Sequence, residues 1–285
     1  MKKAIYLYIF IISWSNFCLS QTINIKSIET LEPISFVNIS LENGEGSFTS
    51  DENGMFLLPK NKKSKSLIFN AIGFEQLQID IDKIKNTVLL KTKSILINEV
   101  VISKLKKITT KIGSTKTKGI YSMHDTTDDE YKPCIIAKYF NIKNNNDNKL
   151  LKSIRIKTSS SSLKPLINFR IYSKGKDDKP DEVLYNDNLF CDVNKGESTT
   201  KMDLSTLGIV LPNDGFFVAV EILVIDKNKQ ENKYVYNNVE HIHKFYYPRI
   251  KMSQTDEYID TWYNIGKDWQ KNNKLSMLME LEIED

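Results

Sequence analysis

The apolar residues of this chain come in runs too short for helices. Between residues 34 and 102 the runs are Ile34 to Leu41, Gly46 to Leu58, Ser66 to Ala71, Leu77 to Ile81, Thr87 to Leu90 and Glu99 to Ile102, separated by Lys, Asn, Gly or Asp. None repeats apolar residues at i, i+3, i+4 and i+7 over three turns, so the periodicity argues for strands. Asp51, Glu52, Asn53 and Gly54 interrupt the second run, and an acidic turn ending in Asn-Gly is a strong hairpin signal. The second half reads the same way. Cys134 to Ile142, Leu150 to Lys157, Asn168 to Tyr172, Ser198 to Leu204, Phe216 to Ile225, Lys233 to Tyr236, His243 to Tyr247 and Leu275 to Ile283 are candidate strands. Phe216 to Ile225 is almost continuously apolar, which places it centrally with both faces covered. In Leu275, Met277, Met279, Leu281 and Ile283 the apolar residues alternate, as in a strand with one buried face. The expected fold is all-β.

Residues 1–20 differ in kind. Lys2 and Lys3 precede an apolar run from Ala4 to Trp14, and a polar stretch reaches Ser20, the pattern of a signal peptide cleaved before Gln21. That run is shorter than the roughly 20 residues a membrane-spanning helix needs, and no later segment approaches that length. The sequence therefore predicts export, to the periplasm or the outer-membrane surface. About 265 residues follow residue 20, a length that suits two domains. With 40 basic against 36 acidic residues the net charge of +4 is too balanced to suggest nucleic acid as a partner. Cys134 and Cys191 remain in a compartment that permits disulfides, with pairing and two buried free thiols both open.

An ordered set of short patterns links the first half to a known family: Glu32-Pro33-Ile34, Val37-Asn38-Ile39, Thr49-Ser50-Asp51-Glu52-Asn53-Gly54-Met55-Phe56, Ile72-Gly73-Phe74, and Leu96-Ile97-Asn98-Glu99-Val100-Val101-Ile102. Together they resemble the carboxypeptidase-like regulatory domain over residues 22–103. The resemblance implies a small transthyretin-type β-sandwich, a module found beside peptidases and at the front of TonB-dependent outer-membrane receptors. Gly54 suits a turn position with φ > 0, and Gly73 a sharp bend before Phe74. The expected division is a signal peptide (1–20), the regulatory-type domain (21–103), a lysine-rich linker or edge segment (104–132) and a larger sandwich (133–285). The second half, from Asn168-Phe169-Arg170-Ile171-Tyr172 through Asp203-Leu204-Ser205 to Gly215-Phe216-Phe217-Val218-Ala219-Val220-Glu221, resembles uncharacterised jelly-roll-like regions that follow such domains. That implies an architecture and no activity.

No catalytic constellation emerges. A carboxypeptidase-type zinc centre needs a neighbouring His and Glu, a distant His and a catalytic Glu, whereas the chain has 3 histidines, His124, His241 and His243. His241 and His243 share a strand face and make half a metal site, and two surface imidazoles are the simpler reading. Asp51 and Glu52 fall far below the ligand count of calcium and read as a turn. No nucleophile elbow, phosphate loop or Cys-x-x-Cys is present, so no catalytic residue, cofactor or metal is expected. Aromatic residues gather at Tyr234, Tyr236, Phe245, Tyr246, Tyr247, Tyr258, Trp262, Tyr263 and Trp269. Trp262, Tyr263 and Trp269, flanking Asn264 to Asp268, are the candidate ligand-binding residues, with core packing as the competing account. The function expected is that of an exported, non-catalytic accessory or binding protein of the bacterial cell envelope, whose second domain recognises a glycan or another envelope protein. The alternative is an envelope-polymer hydrolase with catalytic carboxylates in that domain.

Overall fold

The computed structural model describes residues 21–42, 47–58, 64–93, 108–116, 121–123, 134–142, 149–237, 239–254, 260–264, 268–272 and 274–284. The signal-peptide segment, the Leu96 to Ile102 pattern, His124 and Tyr258 lie outside these residues.

The chain is all-β and builds two sandwiches in succession. The first consists of β1 (Thr22–Ser27), β2 (Asn38–Leu41), β3 (Ser47–Thr49), β4 (Met55–Leu57), β5 (Ser66–Asn70), β6 (Leu77–Asp80) and β7 (Thr87–Leu90). One sheet has the order β4-β1-β7 and the other β3-β2-β5-β6. Alternating residues of the facing strands, among them Ile23, Ile25, Ile39, Leu67, Phe69 and Leu90, close a core of their own. The Asp51 carboxylate accepts the Asn53 and Met55 N–H groups (2.9 and 2.7 Å) and Gly54 has φ 70°, so the acidic cluster is a turn. An added Cβ on Gly54 would stand 2.7 Å from the Ile25 carbonyl oxygen, which leaves room for glycine alone.

The second sandwich comprises β8 (Thr109–Ser114), β9 (Tyr121–Met123), β10 (Cys134–Phe140), β11 (Lys149–Ser160), β12 (Leu166–Lys174), β13 (Pro180–Val183), β14 (Leu189–Asp192), β15 (Gly196–Asp203), β16 (Val210–Leu211), β17 (Phe216–Ile222), β18 (Lys229–Tyr236), β19 (Val239–Tyr246), β20 (Arg249–Gln254), β21 (Thr261–Asn264), β22 (Trp269–Lys271), β23 (Leu275–Met277) and β24 (Met279–Glu284). A seven-stranded sheet runs β13-β12-β17-β10-β21-β22, with β14 also on β12. It faces an eight-stranded sheet, β23-β20-β11-β24-β8, which carries β15 and β16 on β11 and β9 on β20. The core between them takes Ile136, Phe169, Val218 and Val220 from one sheet and Ile154, Met279 and Leu281 from the other.

β17 is the central strand the sequence suggests: all seven of its residues are buried, between β12 and β10. Part of the lysine-rich stretch is an edge segment, since β8 pairs with β24 at the rim of the sheet. The alternating run from Leu275 divides at Leu278, where β23 pairs with β20 and β24 with β11. β18 and β19 pair only with each other among the described residues and project as a hairpin.

Neither Cys134 nor Cys191 is in a disulfide. Their strands explain why: Cys191 lies opposite Ile167, Ile167 opposite Ile222, and Ile222 opposite Cys134. Three strand spacings, about 14 Å, separate the two thiols, roughly twice what a disulfide can bridge.

Candidate ligand cleft between the two sandwiches

The register of the seven-stranded sheet lays its outer face out in rows. Phe190, Asn168, Glu221 and Ile135 stand side by side, followed by Arg170, Ala219, Ala137, Trp262 and Lys271, and then by Val183, Tyr172, Phe217 and Tyr139. The first row carries a carboxylate and the second a guanidinium on a surface that would ordinarily face water. Yet Glu221 and Arg170 are only 1% and 7% exposed.

The first sandwich covers them. Asn38 on β2 donates its side-chain N–H to Glu221 Oε1, and the Phe36 ring meets Phe190 edge-on at 4.7 Å. Gly73, in the bend predicted from sequence (φ 79°), lies so near the Asn186 backbone that an added Cβ would approach its carbonyl oxygen to 3.1 Å. Glu221 Oε2 accepts from Arg170 Nε and Nη2 (2.9 and 2.7 Å) and from Asn168 Nδ2 (3.1 Å). Burial works against the Arg170 charge, but the Glu221 carboxylate outweighs it and holds the guanidinium protonated beyond its usual range. Asn168 also donates to Asn188 Oδ1 (2.9 Å) and accepts the Leu189 N–H (2.9 Å). The polar groups under the junction are thus paired from both sides, as burial requires.

Beside this junction the two sandwiches leave a cleft of about 790 Å³. One wall is Phe36, Met55, Phe56 and Leu57 with Asp51 and Glu52. The other is Leu166, Val224 and Ile225 with Asp226 and Lys227. β4 is an edge strand, and its Leu57 is 63% exposed. Lys227 is drawn to Asp192 (2.7 Å), which leaves the rim weighted toward carboxylates. An apolar floor with a few polar groups at its margin is the usual composition of a binding site.

The three ring residues singled out from sequence do not form one surface. Trp262 and Trp269 lie on the outer face, whereas Tyr263, the neighbour of Trp262 in β21, turns to the other side and donates to Gln270 (2.8 Å). Trp262 packs edge-on to Phe217 (6.5 Å) under the Lys271 ammonium (5.8 Å) and is 9% exposed. Trp269 meets Tyr172 edge-on at 5.5 Å. The period of two along a strand could have separated Tyr263 from the tryptophans in advance. Sequence reasoning missed the cleft because its walls come from segments more than a hundred residues apart.

Lys138 is buried and donates to Ser276 Oγ (3.2 Å) and the Met277 carbonyl (2.8 Å), with Asp260 at 3.5 Å. Burial lowers its pKa, and Asp260 works the other way. The Ser276 hydroxyl donates a hydrogen bond to Asp260 (2.8 Å) while accepting one from Lys138, so the polarity is the reverse of a lysine-activated nucleophile. Among the described residues no three or more His, Cys, Asp or Glu are placed to hold a metal ion.

The family model of the CarboxypepD_reg-like domain matches residues 24–102. The first sandwich is a CarboxypepD_reg-like domain. The match falls within the limits expected from the sequence patterns, and it assigns a regulatory, non-catalytic module to the wall of the cleft formed by β4. No match was found among curated proteins or among solved structures. No described helix is long and apolar enough to cross a membrane.

Proposed function

We propose that this chain is an exported, non-catalytic accessory protein of the bacterial cell envelope, and that its docked pair of sandwiches holds a segment of another envelope protein. The observation that carries the reading is the cleft: an apolar floor with one wall from the CarboxypepD_reg-like domain and the other from the larger sandwich. Export rests on residues 1–20, and CarboxypepD_reg-like domains are common in exported proteins. A polypeptide suits the cleft better than a glycan. Its apolar lining is mostly aliphatic and its rim acidic, whereas sugar stacking needs open ring faces: Phe56 is buried, Phe36 is engaged edge-on with Phe190, and Trp262 has its face under Lys271.

A second reading, hydrolysis of an envelope polymer, has one observation in its favour: Glu52 and Asp226 approach the same cleft from opposite walls. The test is a photo-crosslinking residue at Leu57 on the cleft wall, with the 77% exposed Leu163 as control. Envelope-protein adducts should form at position 57 and be reduced about tenfold by Ile225→Asp, the scale of losing a central apolar contact. Equal labelling at both positions would contradict the assignment. Polymer cleavage abolished by Glu52→Gln and Asp226→Asn would favour the hydrolase.

A further inference from the structure

Among the described elements, the β18–β19 hairpin stands apart from both sandwiches in its pairing. Its eight-residue strands pair only with each other among the described residues, and Tyr234, Val235, Val239 and Ile242 are 49%, 71%, 56% and 46% exposed. A two-stranded ribbon bare on both faces is marginal in water and gains stability from a third strand. Its root, by contrast, is fixed. The fully buried Asn228 donates to the Leu166 and Leu223 carbonyls (2.7 and 2.9 Å), its own carbonyl accepts the Tyr247 N–H (2.8 Å), and Phe245 and Tyr247 are buried. A rigid root presenting an exposed edge is a platform for strand addition.

The register identifies the edge. Tyr236 pairs with Val239 across the residue pair 237–238, with Asn237 at φ 50°. Residues flanking a two-residue loop exchange both backbone hydrogen bonds, and the pairs alternate from there. Lys233 opposite Ile242, Val235 opposite Glu240 and Glu231 opposite Lys244 are therefore the wide pairs. Glu240, Ile242 and Lys244 turn their N–H and C=O groups to the open side of β19. On the β18 side, Ser161 donates to Gln230 (2.8 Å), which sets that strand against the body of the protein.

The side chains on that open edge are complementary to their own reverse. We propose that β19 is a self-pairing edge, and that two copies of the chain join antiparallel about a two-fold axis through Ile242. Ile242 then lies opposite Ile242 of the second copy, flanked on each side by Glu240 opposite Lys244. The backbone groups of all three residues complete hydrogen bonds, and the two ribbons become one four-stranded sheet. A register slipped by one residue would set Glu240 against His243 or Phe245 and offer inward-turned backbone groups to the partner, and a two-fold on His241 or His243 would set Glu240 against Ile242 or Tyr246 and lose both charge pairs. This surface is separate from the cleft, and its assignment does not rest on the proposed function.

Sedimentation of the mature chain, with charge reversals in β19, tests the inference. The unmodified protein should show a concentration-dependent dimer. Glu240→Lys or Lys244→Glu alone should weaken it about tenfold or more, because each places two like-charge pairs across the axis. Glu240→Lys with Lys244→Glu should restore it, and Glu231→Lys on β18 should leave it intact. Independently, Ile242→Cys should cross-link two chains under mild oxidation, since directly opposite residues of a bonded pair have Cα atoms about 5.5 Å apart, within disulfide range. A protein that stays monomeric at about 100 μM, or a dimer indifferent to both single reversals, would overturn the proposal.

Discussion

Glu221 accepts four hydrogen bonds on two oxygens, three from β12 of its own sandwich and one from Asn38 of the other. Its replacement by Ala leaves the Arg170 guanidinium buried without a counter-charge, and unfolding in urea should show a loss of about 3–5 kcal/mol. Asn38→Ala removes a single cross-domain donor and should cost about 1–3 kcal/mol. Equal, near-zero losses would mean that water rather than the first sandwich covers this row. At this scale the sequence was legible where the backbone needs a particular residue. Asp51 to Gly54 could be read as a turn because carboxylate capping and positive φ are local properties. Asn38 and Glu221 could not, because a polar residue in a strand gives no sign of which surface will meet it 183 positions away.

Among the elements, hydrophobic pattern gave the long buried strands but missed others, among them β13, β20 and β21, and the interruptions. β17 was evident from its unbroken apolar run, whereas the division at Leu278 was hidden, because Leu278 is itself buried and apolar. The aromatic cluster was visible as composition but not as a surface. Alternation along β21 and β22 sends Trp262 and Trp269 to one side and Tyr263 to the other, and Phe217 and Tyr172 pack against the tryptophans from neighbouring strands. The cysteines follow the same logic, because strand order sets their separation and strand order is not local. Two reactive thiols are expected: unreduced, denatured protein produced from Gln21 onward should react with two equivalents of a thiol reagent. Cys191 should react slowly in the native state, where burial and the neighbouring Asp192 raise its pKa. No reaction at all would place a disulfide where the sheet leaves about 14 Å.

Taken as a whole, the molecule has two separately closed cores that meet at a junction including the Asn38–Glu221 hydrogen bond and the Phe36–Phe190 contact. Such junctions between domains ordinarily permit relative motion. The cleft exists as a binding site only if this one does not, because its two walls belong to different sandwiches. The Asn38 bond to the buried Glu221–Arg170 pair and the Phe36–Phe190 contact fix how the two sandwiches meet. The most direct test is the distance distribution between spin labels on the two sandwiches, at Leu89 and at Leu163, which are 41% and 77% exposed, with Cys134 and Cys191 replaced. Docked sandwiches predict a single narrow distance in the intact protein that broadens in Glu221→Ala. A broad distribution already present in the otherwise unmodified chain would contradict the preformed cleft and, with it, the binding function assigned to it.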